Sequence, residues 1–186
     1  MQAPTMKSLP TTIACIAIGM IILGGFSLSA QAQTPRGEEA FGTPESVVKE
    51  LYRAISVAPG TIPDWDAMRA LFIDEAVVVA LEGAVRDTTL VMPLDDFIAF
   101  LVAFVESPVV QKNGFAERII RMKPTFMGEM AHIVVLYEAQ IPGSPDPPGR
   151  GIDSLQLVRR GSRWRIVSIS NELLAPDAPL PEALRQ

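Results

Sequence analysis

The chain has 186 residues, of which 48% are hydrophobic, and its formal net charge at pH 7 is −5. This length suffices for one domain with a substantial core and is short for two. The acidic balance disfavours binding to nucleic acid or to an anionic membrane. The single cysteine, Cys15, lies in the apolar N-terminal segment. The rest of the chain has no cysteine, so it cannot form disulfides, cysteine nucleophiles or thiolate zinc sites.

The N-terminal segment has the pattern of a secretory signal. Lys7 is the only charged residue among the first 32, and the uncharged apolar run 11–28 follows it. Ala30 and Ala32 then provide small residues at the −3 and −1 positions of a cleavage site. An uncleaved membrane anchor is the alternative, but the run is near the minimum length of a spanning helix and two glycines interrupt it. We predict a signal peptide over 1–32 and an exported protein, either periplasmic or secreted.

The first part of the mature chain predicts helices. Residues 33–42 are mostly polar and predict a flexible lead-in. Thr43 then has the character of an N-cap and Pro44 that of a first helical residue. Apolar residues at helical spacing continue from there to Ile55, and Tyr52 is among them.

A second short helix is expected from Asp64, which we interpret as its N-cap, and it carries Trp65 and Met68. The β-branched run 76–81 and the segment 88–92 predict short strands. A third helix is expected from residue 93 to about residue 107.

From Phe115 onward the apolar period changes from about 3.6 to about 2, which predicts strands. The expected strands are 115–126, 130–141, 151–160 and 163–171. Gly161 and Ser162 would form the two-residue turn between the last two. A proline-rich tail, 175–186, follows. Helices followed by long antiparallel strands predict an α+β domain over 43–174, with the helices on one face of a curved sheet.

The last hairpin resembles the end of a nuclear-transport-factor-2-like (NTF2-like) domain of the SnoaL-like type. The resemblance rests on residues 151–158, the glycine turn and residues 163–169. Residues 128–133 and the following Tyr137 are similar to the preceding strand of that family. Asn171 departs from the pattern, because many relatives carry an aromatic residue there.

This resemblance implies a cone-shaped domain with a curved, mostly antiparallel sheet and three N-terminal helices on its concave face. It also implies a pocket between sheet and helices, and a homodimer through the open sheet face. Members of the family include isomerases, dehydratases and ligand-binding subunits, so the fold alone does not choose an activity.

The final hairpin supplies the first candidate site. A regular two-residue turn would place Asp153, Trp164 and Ser168 on one face, and the large Trp164 ring assigns that face to the interior. A carboxylate beside a hydroxyl in apolar surroundings could act as a general base with a raised pKa. The alternative is that Asp153 only hydrogen-bonds a neighbouring loop.

Asp66 and His132 are further catalytic candidates. Asp66 could face a pocket near Tyr52, or it could be solvated in the first turn of its helix. His132, the only histidine, is expected to point away from the helices toward a possible subunit interface. No nucleophile or orienting carboxylate is recognisable beside it. Tyr52 and Tyr137 could donate hydrogen bonds to a ligand carbonyl, or they could be core residues with one polar tip.

Three functions remain open. The favoured one is binding of a small apolar molecule between sheet and helices, and the candidate contacts are Tyr52, Trp65, Met68, Tyr137, Asp153, Trp164 and Ser168. The others are a homodimeric interaction module and a cofactor-free isomerase or dehydratase that uses a pocket carboxylate. No metal or cofactor motif is recognisable. We expect a small-molecule ligand, no nucleic acid, and no membrane contact after cleavage.

Overall fold

The computed structural model describes residues 37–82, 88–176 and 178–185. The predicted signal peptide, residues 33–36 and the predicted turn residue Gly83 lie outside these ranges. None of the helices in the described part of the chain is long and apolar enough to cross a membrane.

Six strands form the sheet: β1 (Phe72–Glu82), β2 (Thr88–Pro93), β3 (Ala116–Met127), β4 (Met130–Gln140), β5 (Gly149–Arg160) and β6 (Arg163–Leu174). Their order across the sheet is β2-β1-β6-β5-β4-β3. The β1 and β6 strands are parallel, and all other neighbouring pairs are antiparallel. The predicted α+β class with a curved, mostly antiparallel sheet is confirmed.

Four α-helices accompany the sheet: α1 (Pro44–Ile55), α2 (Trp65–Arg69), α3 (Leu94–Val105) and α4 (Pro108–Asn113). A capping box starts α1, in which the Thr43 hydroxyl accepts from the Ser46 amide at 3.1 Å and Ser46 Oγ accepts from the Thr43 amide at 3.0 Å. Asp64 caps α2 by accepting from the Ala67 amide at 2.9 Å. The short α4 was not predicted, because Pro108 both follows α3 and begins the next helix.

Both ends of the described chain pack more closely than their composition suggests. In the predicted flexible lead-in, Glu38–Phe41 form a 3₁₀ helix, and Phe41 is buried in the core. In the C-terminal tail, the Arg150 guanidinium donates to the Pro176 carbonyl at 2.9 Å. The Arg121 guanidinium donates to the carbonyl of Leu184, whose side chain is fully buried. The tail thus runs from β5 to β3.

One bulge in β6 decides which side chains face the helices. Val167 has no register partner in β5, although its neighbours on both sides do. Because successive residues alternate between the faces of a strand, one extra residue inverts the pattern beyond it. Ile169 is therefore in the core at 4% exposure. Ser168 lies on the face opposite to Asp153, so the prediction that they share a face is wrong.

A buried carboxyl and tyrosine cluster

We call the sheet face that packs on the helices the inner face, and the opposite one the outer face. Among the described residues, the charged side chain buried on the inner face is that of Asp153, at 8% exposure. The Tyr52 hydroxyl donates to Asp153 Oδ2 at 2.5 Å, and Asn171 Nδ2 donates to Oδ1 at 2.7 Å. These two bonds compensate for the burial of the charge.

Tyr52 is positioned by the anchored end of α1. It lies in the buried stripe of that helix, one turn before Ser56. Ser56 Oγ donates to the Glu117 carbonyl at 3.2 Å and accepts from the Glu117 amide at 3.0 Å. This pair of bonds ties the C-terminus of α1 to β3, so the Tyr52 hydroxyl is held above the sheet.

Tyr137 reaches the cluster because its cross-strand partner is a glycine. Tyr137 on β4 pairs with Gly151 on β5. A Cβ atom at Gly151 would lie 2.3 Å from both Cζ and Oη of the tyrosine. The ring therefore lies across the β5 backbone, where its hydroxyl accepts from Asn171 Nδ2 at 2.7 Å. Among the described residues, the Tyr137 hydroxyl proton has no acceptor.

Asn171 joins the two halves of the cluster. It pairs with Asp153 across β5 and β6, and its amide nitrogen donates to both Asp153 and Tyr137. The residue faces inward only because of the bulge at Val167. Sequence reasoning noticed Asn171 as a departure from the family pattern, but without the bulge it could not be placed beside Asp153.

Glu117 on β3 is the second carboxyl of the site, and sequence reasoning missed it. Burial, and after it the nearby charge of Asp153, raise its pKa from 4.5 to about 8. Its carboxyl group forms no hydrogen bond with another described residue. The strand pattern around it, with polar and apolar residues alternating, would have placed it inward with Ile119.

The two carboxyl groups share their charge unequally. Burial raises the pKa of Asp153, whereas the hydrogen bonds from Tyr52 and Asn171 lower it. Among the described residues Glu117 has no such bonds, so it loses its proton at a higher pH than Asp153 does. Burial and the two carboxyl groups also raise the pKa of Tyr52 and of Tyr137 above the ordinary tyrosine value. The site therefore offers protonated phenols and a neutral carboxylic acid in apolar surroundings.

Two predicted catalytic residues lie elsewhere. His132 is on the outer face, as predicted, with Nε2 2.9 Å from Ser154 Oγ. Asp66 is exposed in the first turn of α2. The sheet separates His132 from Asp153, and no hydrogen bond joins Asp66 to the cluster in the described residues. The structure therefore does not bring these candidates together with Asp153.

The other predicted contacts are apolar residues of the same core. Met68 and Trp164 are buried in the cluster of core residues that also contains Tyr52 and Tyr137, and the partly buried Trp65 packs against it. Trp164 pairs with Arg159, six residues along β5 from Asp153, so the register places it about 20 Å from the polar groups. In the described parts of the chain, no group of three or more His, Cys, Asp or Glu residues could hold a metal ion.

No protein-family model matches the chain, and no curated protein matches its sequence. Solved structures do match. An uncharacterised protein with a cystatin-like fold from Caulobacter vibrioides gives a TM-score of 0.54 at 16% identity, over 72% of this chain and 88% of that one. An NTF2-like protein with a cystatin-like fold from Novosphingobium aromaticivorans gives 0.53 at 16% identity, over 75% and 84%.

A third structure, a provisionally named scytalone dehydratase from Novosphingobium aromaticivorans, gives a TM-score of 0.54 at 12% identity, over 74% of this chain and 86% of that one. Identities this low establish a shared fold and leave the activity open. The chain therefore has the NTF2-like, cystatin-like fold that the resemblance of its last hairpin implied.

Proposed function

We propose that the domain binds a small molecule with an apolar body and one carbonyl or hydroxyl group. The polar cluster, which consists of Tyr52, Glu117, Tyr137, Asp153 and Asn171, would bind that oxygen. The observation that supports this proposal most is a pair of inner-face groups whose hydrogen-bonding capacity the described residues do not use up. They are the Glu117 carboxyl and the proton of the Tyr137 hydroxyl. Glu117 is only partly buried, so it is open to an incoming ligand oxygen, which would replace water as its partner.

The roles of the cluster follow from its hydrogen bonds. Asp153 already accepts from Tyr52 and Asn171 and is fixed by them. Tyr137 and the protonated Glu117 remain as donors for a ligand oxygen. Neighbouring core residues such as Ile119, which pairs with Tyr137, would contact the hydrocarbon part of the ligand. This division is common in small-molecule sites, where a few polar groups orient a mostly apolar ligand.

Proton transfer is the second candidate function, as a cofactor-free isomerase or dehydratase. The specific observation in its favour is the Glu117 pKa of about 8, because a general acid or base works best with a pKa near the operating pH. Tyr137 would donate a hydrogen bond to oxygen charge that develops in the transition state. The fold neighbour provisionally named scytalone dehydratase is consistent with this candidate.

The proposed location and assembly come from other parts of the chain. Export is supported by the order of Lys7, the apolar run 11–28 and the small residues before Gln33. A homodimer through the middle of the outer face is supported by Val134 and Ile152, which are apolar and only partly buried there. We propose that the exported chain begins at Gln33 and assembles through this face.

Native mass spectrometry of the protein purified from the envelope fraction tests these proposals together. We expect a mass that begins at Gln33, a dimer, and one retained small molecule per chain. Tyr137→Phe and Glu117→Leu should each weaken retention by about tenfold, since each removes one hydrogen bond in apolar surroundings. Asp66→Asn is the matched control, because it removes an exposed carboxylate of α2 and should leave retention unchanged.

Each outcome has a distinct meaning. The binding proposal is contradicted if the parent chain retains no small molecule and if Tyr137→Phe binds screened carbonyl compounds as tightly as the parent does. If a retained compound exchanges hydrogen with deuterated water only when Glu117 is present, the site is catalytic. A mass that still includes residues 1–32 argues against cleavage, and a monomer at micromolar concentration argues against the dimer.

A further inference from the structure

One end of the sheet exposes large apolar side chains. The turn between β3 and β4 is flanked by Phe126, Met127 and Met130, which are 54%, 48% and 52% exposed. Three half-exposed side chains of this size within five residues form a local patch, whereas isolated exposed apolar residues are common on any protein surface.

The strand register extends this patch across four strands of the outer face. Met127 pairs with Met130, Met130 pairs with Val158 on β5, and Val158 pairs with Arg165 on β6. Neighbouring strands are about 4.8 Å apart, so these side chains form a row about 15 Å long. We call this row, together with Arg160, the tip surface; Phe126 pairs with the buried Ala131 and so lies on the inner-face side of the same end.

The charge at this end is positive although the whole chain is acidic. The β5–β6 hairpin contains four arginines within seven residues: Arg159, Arg160, Arg163 and Arg165. Arg159 and Arg163 are paired with Glu129 and Glu38. Among the described residues, Arg160 and Arg165 form no ion pair. The acidic side chain beside the row, Glu129, is therefore neutralised, and two guanidinium groups remain available to a partner.

We propose that the tip surface binds the surface of an anionic lipid bilayer. Exposed apolar side chains can enter the headgroup region, while arginines beside them pair with lipid phosphates and keep their charged heads in water. The charge complementarity favours this occupant over a second copy of the chain, since a second copy would bring further arginines to the same row or leave these two unpaired. The chain-wide charge of −5 hides this local arrangement.

Vesicle co-sedimentation of the chain that begins at Gln33 tests the proposal without the apolar N-terminal segment. We expect binding to vesicles of equal parts phosphatidylglycerol and phosphatidylcholine, little binding to phosphatidylcholine alone, and weaker binding at high salt. Arg160→Gln with Arg165→Gln should weaken binding about 25-fold, at about fivefold for each arginine near the surface. Met127→Ser with Met130→Ser should weaken it about tenfold.

Matched controls separate the tip surface from general effects. Lys49→Gln with Lys112→Gln removes two exposed cations of α1 and α4, and Ile62→Ser with Val109→Ser removes two exposed apolar side chains elsewhere. Both control pairs should bind like the parent chain. Equal binding by tip and control variants, or no binding to anionic vesicles, overturns the proposal. A dimer that the tip variants convert to a monomer also overturns it, because the row would then be an interface between copies.

Discussion

At the scale of single residues, the molecule is organised around a charge that its neighbours hold in place. Asp153 accepts from a phenol on α1 and from an amide on β6, whereas the carboxyl of Glu117 forms no hydrogen bond within the described part of the chain. Two carboxyl groups in one apolar region differ in pKa when only one of them is hydrogen-bonded. The order in which the two groups lose their protons is therefore a direct consequence of which donors surround each group.

Glu117→Gln should reveal this difference as a change in stability with pH. The pKa of Glu117 is raised to about 8 in the folded protein. The contribution of its protonated form to the stability of the fold is therefore fully present below pH 4.5 and is lost as the pH rises through 8. Glutamine has no such dependence. The free energy of unfolding of the variant should therefore rise relative to that of the parent between pH 4.5 and 8. At pH 9 the difference should be on the order of 3 kcal/mol, since partial solvation of Glu117 limits the effect.

Thermal denaturation of both chains from pH 4 to pH 9 measures this gain. Glu75→Gln, at an exposed position on β1, is the control and should follow the parent at every pH. A constant difference between Glu117→Gln and the parent across this range would mean that Glu117 ionises normally.

At the scale of elements, the helix starts and the strand order along the chain were predictable, because they depend on local signals. Thr43 and Asp64 cap the helices for which they were named. The bulge at Val167 was not predictable, since a bulge depends on how two strands pair and leaves no clear mark in either one. This single residue explains why Ser168 was wrongly placed inside and why Asn171 was not assigned to the site.

The β4–β5 pairing has its own requirement, which Gly151→Ala tests. The added Cβ would lie 2.3 Å from the Tyr137 ring, so the ring must leave its place above β5 and lose its bond with Asn171. Overpacking of this kind destabilises by about 1–3 kcal/mol. We expect urea denaturation to show a loss of stability of that size for Gly151→Ala in the parent chain. In a chain that already carries Tyr137→Val, Gly151→Ala should cost less, because the large ring that it displaces is gone.

Gly149→Ala is the matched control in the same strand. Its Cβ would lie 3.7 Å from the Ala139 carbonyl oxygen, an ordinary contact, so its effect should stay within about 0.5 kcal/mol. If both alanine variants lost the same stability, the close approach of Tyr137 to Gly151 would not be the cause.

At the scale of the whole molecule, the fold class followed from the change in apolar period, whereas the site required the assembled sheet. Tyr52, Glu117, Asp153 and Asn171 are separated along the chain and belong to α1, β3, β5 and β6. Composition also concealed the surface, because an acidic total charge coexists with unpaired arginines at one end. Long-range pairing thus determines both the polar cluster and the tip surface.

The central claim is that Glu117 keeps its proton at neutral pH because it lies in apolar surroundings near Asp153, and a direct titration of Glu117 tests it best. The ¹³C shift of the Glu117 carboxyl would be followed by NMR from pH 3 to pH 10, with Glu117→Gln used to assign the signal. The account predicts a midpoint near 8, and a lower midpoint in Asp153→Asn, where the neighbouring charge is gone. A midpoint near 4.5 in the parent chain would contradict it.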